Sequence, residues 1–396
     1  MIKAVSNKSN RQEKYTVGEY GVAKAKEVCA YHQSYPEYSM TPLVKLDNLA
    51  SALGVSKIMV KDESKRFGLN AFKVLGGSYC IGKYIAERLA LPEEKFNFTT
   101  LVSDEVKAQL GELTFVTATD GNHGRGVAWT ANRLGHKSVV FMPDGTVPER
   151  LENIRKLGSV ASITDISYDD CVRKAKACAD EYGWVITQDT AWEGYEEIPK
   201  WIMQGYTTIA YEIIQQIGDD KPTHVFLQAG VGSMAGAIAA FLADYYKEDC
   251  PVITIVEPNK ADCIYRTAEA NDGKLHFVTE KMDSIMAGLC CGEPCTIAWE
   301  IMESYAKHFV SMPDYVTAKG MRVLGNPLPG DEAIVSGESG ASCFGLVVEV
   351  LQDKDLAWIK EQLGLNAESK ILCISTEGDT DKANYRSIVW DGAYHK

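Results

Sequence analysis

Short apolar runs alternate with helical patterns along nearly all of this chain, and that rhythm limits the fold more than any other feature. Phe115-Val116-Thr117-Ala118-Thr119 reads as a buried strand, followed by a glycine-rich turn and a helix from about Gly124 through Arg133. Ser138 to Met142 is the next strand, closed by Pro143-Asp144-Gly145; Glu149 to Leu157 is helical, and Ser159 to Ile163 is a strand again. A β-α-β-α-β order of this kind implies a parallel sheet covered on both faces, joined by right-handed crossovers. A second set follows, with strands at His224–Gln228, Val252–Val256 and Lys370–Ile374 and a helix from Met234 to Tyr246. The aromatic stretch Trp192 to Tyr211 separates the sets, so the expected architecture is two doubly wound α/β domains facing one cleft.

A chain of 396 residues is long for one core and suggests about two domains. The net charge of −13 argues against nucleic acid or an anionic membrane as partner, and suits a small zwitterionic or cationic ligand. The longest nearly apolar stretch, Met234 to Ala243, is far short of a membrane span, and Met1 to Lys8 carries no apolar leader. Eleven scattered cysteines fit a reducing compartment, and the cytoplasm is the expected location. Cys290-Cys291-Gly292-Glu293-Pro294-Cys295, with Cys263 upstream, lacks the paired Cys-x2-Cys or His spacings of a zinc site, so no metal is expected.

Chemistry concentrates in four segments. Lys73, in Asn70-Ala71-Phe72-Lys73-Val74-Leu75-Gly76-Gly77, opens an apolar helix with no solvated face. Alone, such a lysine is most simply read as snorkelling. Gly230-Val231-Gly232-Ser233-Met234 lies between a strand and a helix, where backbone N–H groups can converge on an anion such as phosphate. Its Gly-x-Gly-x-x-x-Gly spacing is neither a dinucleotide fingerprint nor a Walker A loop. Asn122, flanked by Gly121 and Gly124, carries an amide donor, and Ser375 and Thr376 end a buried strand with two hydroxyls. All three loops follow expected strands, as ligand-binding loops in open α/β sheets do.

This constellation resembles the fold-type II enzymes dependent on pyridoxal 5′-phosphate, the tryptophan synthase β and threonine dehydratase group. The likeness runs from Thr41-Pro42-Leu43 to about Asp381. It implies that Lys73 forms a Schiff base with the cofactor aldehyde and that Asn122 donates to the adjacent phenolic oxygen. It further implies that Gly230, Val231, Gly232, Ser233 and Met234 hold the phosphate, and that Ser375, or alternatively Thr376, meets the ring nitrogen. A hydroxyl there leaves the ring neutral, which weakens the electron sink and favours β-elimination over transamination. Glu338-Ser339-Gly340 and Ala287-Gly288-Leu289 also look like family elements lining the cleft. The expected division is a large phosphate-binding domain (residues 1–79 and 201–396) and a smaller α/β domain (80–200), in a homodimer.

Longer strings are more specific. Thr119-Asp120-Gly121-Asn122-His123-Gly124, Gln188 to Tyr195 and Ile198 to Tyr206 resemble the diaminopropionate ammonia-lyase family. The implied reaction is elimination of ammonia from 2,3-diaminopropionate, D or L, giving pyruvate and two ammonia. Serine and threonine dehydratases usually carry Ser where this chain has Asp120, and a substrate with a second ammonium needs a carboxylate in a partly desolvated pocket. Asp120 and Asp189 are the candidates, with turn capping the plainer alternative for each. The resemblance implies that Lys73 removes the α-proton of the L-isomer and an aspartate that of the D-isomer. A hydroxy-amino-acid dehydratase of the same fold stays open as the alternative.

Overall fold

The computed structural model describes residues 1–9, 11, 13–119 and 121–396. Among the described residues there are eleven strands: β1 (Lys3–Ser6), β2 (Leu43–Lys45), β3 (Lys57–Asp62), β4 (Thr114–Ala118), β5 (Lys137–Met142), β6 (Val160–Ile163), β7 (Val185–Ile186), β8 (His224–Gln228), β9 (Val252–Pro258), β10 (His308–Met312) and β11 (Lys370–Ser375). They form a seven-stranded sheet in the order β1-β10-β9-β8-β11-β3-β2 and a four-stranded sheet in the order β6-β5-β4-β7. The smaller sheet is wholly parallel. In the larger one only the edge pairings, β1 with β10 and β2 with β3, are antiparallel.

The expected strands of both sets lie within a residue or two of these bounds, and the alternation of strand and helix holds. Four strands of the large sheet went unforeseen. β3 escaped notice because its buried run ends in charge, at Lys61 and Asp62. Lys61 is tolerated inside because its ammonium donates to Glu212 Oε2 at 2.6 Å, the Thr41 carbonyl at 2.8 Å and Gln216 Oε1 at 2.7 Å. β1, β2 and β10 are short, and two of them lie toward the sheet edges, where apolar pattern is weakest.

The order of the large sheet places a switch point between β8 and β11: the chain runs from β8 outward through β9 and β10, then returns to β11 beside β3. Loops leaving the carboxyl ends of adjacent strands on either side of such a point diverge and leave a crevice. The loop after β8 begins at Ala229, the one after β11 at Thr376, and β3 leads through residues 63–72 to Lys73. Three of the four chemical segments therefore meet at one place, and the fourth, after β4, comes from the small sheet.

The stretch around Trp192 to Tyr211 does not act as a spacer. It enters a buried helix, Glu197–Gln216, packed against the helix Val74–Arg88. The expected boundaries at 79/80 and 200/201 fall inside these two helices, so packed helices rather than linkers join the sheets. Glycines set how closely they approach. A Cβ on Gly205 would stand 2.4 Å from the Leu75 carbonyl oxygen and 2.8 Å from Gly76 Cα, and one on Gly126 would stand 2.8 Å from Val74 Cα. Those obstructions are backbone and cannot rotate away. Gly205→Ala should therefore destabilise the protein by about 1–3 kcal/mol or more, read as a lower midpoint in urea denaturation. A variant as stable as the parent would mean that the helices can part without cost.

Candidate active site

The Lys73 segment is locked to the end of the large sheet. Ala71 bridges Glu377 in antiparallel fashion, the Phe72 amide donates to the Thr376 carbonyl at 3.0 Å, and the Gly378 amide donates to the Asn70 carbonyl at 3.0 Å. This fixes Lys73 at the first turn of Val74–Arg88, on the wall of a cleft. Lys73, Asn122, Asp189, Thr376 and the whole run Gly230–Met234 line it.

Lys73 Nζ donates to Asp189 Oδ2 at 2.8 Å; the lysine side chain is 16% exposed and the aspartate 3%. Asp189 Oδ1 accepts from the Tyr168 hydroxyl and from Gln188 Nε2, each at 3.3 Å. Burial works against ionisation of Asp189. The Lys73 ammonium, then His123 and Tyr168, outweigh it and hold the carboxyl well below the usual carboxylate range. His123 stands behind, its Nε2 2.7 Å from the Thr187 carbonyl and its Nδ1 3.8 Å from Asp189 Oδ2. The lysine thus faces a fixed negative charge that is itself held from several directions.

Opposite lies the amino end of the helix Ser233–Tyr246, preceded by Gly232 at φ +96°. That left-handed backbone disfavours any side chain there, and a Cβ would also have to displace the end of the Met302 side chain, whose Cε lies 2.7 Å from its place. No side chain caps this helix, and the Ser233 hydroxyl is turned away to donate to the Asp189 carbonyl at 2.6 Å. Its first N–H groups, which have no partners within the helix, face the cleft. Tyr206 adds an independent sign of a ligand: it is 1% exposed, lines the cleft, and its hydroxyl finds no hydrogen-bond partner among the described residues. A buried amine, an anion cradle and an orphaned hydroxyl around one cavity fit a phosphorylated aldehyde such as pyridoxal phosphate.

The two hydroxyls at the end of β11, Ser375 in the strand and Thr376 just beyond it, part company. Thr376 lines the cleft and accepts from Gln228 Nε2 at 3.2 Å, which leaves its own proton free to donate. Ser375 does not line it; its hydroxyl lies 2.7 Å from Ser336 Oγ. Glu338 also stands back from the cleft, bonded to Asn384, while its neighbour Ser339 lines the wall. Asp120 lies outside the described residues. Sequence reasoning missed Gln228, Tyr206 and Glu377, all of which line the cleft. Gln228 had a signal, a lone amide ending an otherwise apolar strand just before Gly230. Tyr206 and Glu377 had none beyond lying in strings quoted for other reasons. Among the described residues, no three His, Cys, Asp or Glu side chains gather as metal ligands.

Cleft, anchor and cradle define an enzyme that uses pyridoxal phosphate. A model of the family described as pyridoxal-phosphate dependent enzyme matches residues 35–358. Diaminopropionate ammonia-lyase of Salmonella typhimurium is 49% identical over 370 residues, which span 92% of this chain and 92% of that protein. The crystal structure of holo diaminopropionate ammonia lyase from Escherichia coli superposes with a TM-score of 0.93 at 46% identity, covering 100% of this chain and 98% of that one. A further structure of the Escherichia coli enzyme, in complex with an aminoacrylate-PLP azomethine reaction intermediate, gives a TM-score of 0.92 at the same identity and coverage. The chain belongs to the pyridoxal-phosphate-dependent enzymes and, within them, to the diaminopropionate ammonia-lyase family.

Behind the cleft, burial first and the charge of Glu377 second push the Glu338 carboxyl up to about 7 from an ordinary value of 4.5. Between those pH values the folded chain keeps a proton that the unfolded chain has lost, so stability falls as pH rises through the window. Glu338→Gln cannot ionise and removes that fall. Relative to the parent, the variant should gain on the order of 3 kcal/mol between pH 4 and pH 8, measured by urea denaturation across pH. A pH-independent difference would contradict the raised carboxyl.

Proposed function

We propose that this chain eliminates ammonia from 2,3-diaminopropionate, accepting both enantiomers, and yields pyruvate and two ammonia with uptake of one water. The observation that carries the reading is the Lys73 amine held 2.8 Å from a buried carboxylate inside the cleft. Pyridoxal phosphate, when bound, supplies an aldehyde for covalent attachment and an aromatic ring that withdraws charge from the substrate's α-carbon. Lys73 is its anchor, the amino end of Ser233–Tyr246 its phosphate site, Asn122 the donor to its phenolic oxygen, and Thr376 the donor to its ring nitrogen.

The remaining chemistry is proton management. Lys73 Nζ takes the α-proton of the L-isomer, and Asp189 balances the charge that the amine then carries. Asp120, by its place in the Thr119–Gly124 segment, is the base for the D-isomer. A β-ammonium departs as neutral ammonia and needs no added proton, whereas a serine hydroxyl must be protonated to leave as water. A cleft walled by carboxylates and a lysine suits the first leaving group better. The aminoacrylate released tautomerises and hydrolyses in water to pyruvate and the second ammonia. The proposed setting is a homodimer in the cytoplasm, which rests on family resemblance and on the scattered, odd-numbered cysteines of the sequence; no described helix is long and apolar enough to cross a membrane.

The test is pyruvate release from D- and L-2,3-diaminopropionate, D- and L-serine and L-threonine, compared by kcat/KM. Diaminopropionate should lead, and preference for serine or threonine would replace the reading with a dehydratase. Lys73→Ala should lose the visible band of the bound cofactor and the borohydride-trapped adduct, with turnover down about 10²–10⁴-fold or more. Asp120→Asn should lose D-isomer turnover selectively; equal losses on both isomers would contradict its role.

A further inference from the structure

Glu377 is absent from every role assigned so far, yet it is 2% exposed and lines the cleft. Its Oε2 accepts a short hydrogen bond from Asn122 Nδ2 and another from the Thr380 hydroxyl at 3.3 Å, while its Oε1 accepts from the Ser339 amide at 3.1 Å. All three donors are neutral. Three separate segments are therefore held by one buried carboxylate: the loop after β11, the Ser339 loop, and the first residue of the small-sheet helix Asn122–Arg133. The Asn122 bond is the one that crosses from the small sheet to the large.

A buried acid in such a position calls for an explanation. An asparagine side chain has two ends of nearly equal shape, an oxygen that only accepts and an NH₂ that only donates, and nothing steric decides which end faces where. An ionised carboxylate accepts only. Placed beside Asn122, it admits the NH₂ end and repels the oxygen, and a charge-assisted bond is about twice as strong as a neutral one. The NH₂ group carries two hydrogens, so one is bound by Glu377 and the other is left directed elsewhere.

We propose that Glu377 is a positioning residue, which fixes the orientation of the Asn122 amide so that its second N–H is presented to the bound cofactor. This inference rests on the pyridoxal-phosphate reading above. Glutamine at 377 would keep the shape but offer both a donor and an acceptor, and so would permit either orientation of Asn122. Aspartate would keep the charge on a side chain one methylene shorter.

The experiment is a double-mutant cycle on cofactor binding, with Glu377→Gln, Asn122→Ala and the pair, read by titrating each apoprotein with pyridoxal phosphate and recording the visible spectrum. Far-UV circular dichroism and the urea midpoint of the apoproteins establish folding. Glu377→Gln should weaken cofactor binding at least tenfold and move the visible band, and should change neither quantity further on the Asn122→Ala background. Running the cycle in parallel with Glu377→Asp guards against one variant that does not fold. Unchanged affinity and spectrum in the folded single variants would overturn the inference, as would effects that persist undiminished without Asn122. Failure of the parent chain itself to take up the cofactor at Lys73 would instead overturn the reading on which the inference rests.

Discussion

Everything in the site depends on how closely three helices can approach. Val74–Arg88 carries Lys73 at its start, and it is gripped on one side by Glu197–Gln216 and on another by Asn122–Arg133. At both contacts glycine allows backbone to meet backbone, through Gly76 with Gly205 and through Gly77 with Gly126. Dispersion at such distances is collectively large and leaves no room for sliding. A lysine has four rotatable bonds, and its nitrogen can be placed well only if the Cα is immobile. The small-sheet helix that fixes this Cα also carries Asn122, so the contact sets the distance between anchor and amide as well.

Charge is buried in this protein only where it is matched. Arg66 is fully enclosed, and its guanidinium donates to Glu63 and Glu212, while Lys61 shares Glu212 from the other side. Two cations and two anions cancel within one cluster. Removing any single member would strand a charge, which costs far more than the intact cluster contributes. The Lys73–Asp189 pair follows the same logic with a different purpose. It is open to the cleft, so the lysine's partner is exchangeable there, whereas at Lys61 it is not.

Much of the site was legible in the sequence because its chemistry sits at strand ends. The motifs around Asn122, Gly230 and Ser375 each follow a run whose apolar pattern marks a strand, and open α/β sheets gather such ends. What stayed hidden depended on side-chain direction. Ser375 and Thr376 are adjacent hydroxyls, and in extended backbone neighbours point to opposite faces, so only one can reach the cleft. The one-residue choice turns on exactly where β11 ends, which pattern alone leaves uncertain. Tyr206 lies in the middle of a buried helix, and its orphaned hydroxyl becomes visible only once the helix is packed. β3 was concealed by Lys61, a residue whose burial makes sense only with Glu212, some 150 positions later, in place.

The antiparallel clasp between Asn70–Phe72 and Thr376–Gly378 has a consequence for biosynthesis. Its two halves lie about 300 residues apart, as the bond from Asn70 to Asp379 shows. A chain emerging from the ribosome can complete the four-stranded sheet early, but the lysine's surroundings remain unfinished until residue 379 has been made. The wall around Lys73 is thereby complete only when nearly the whole chain has been made.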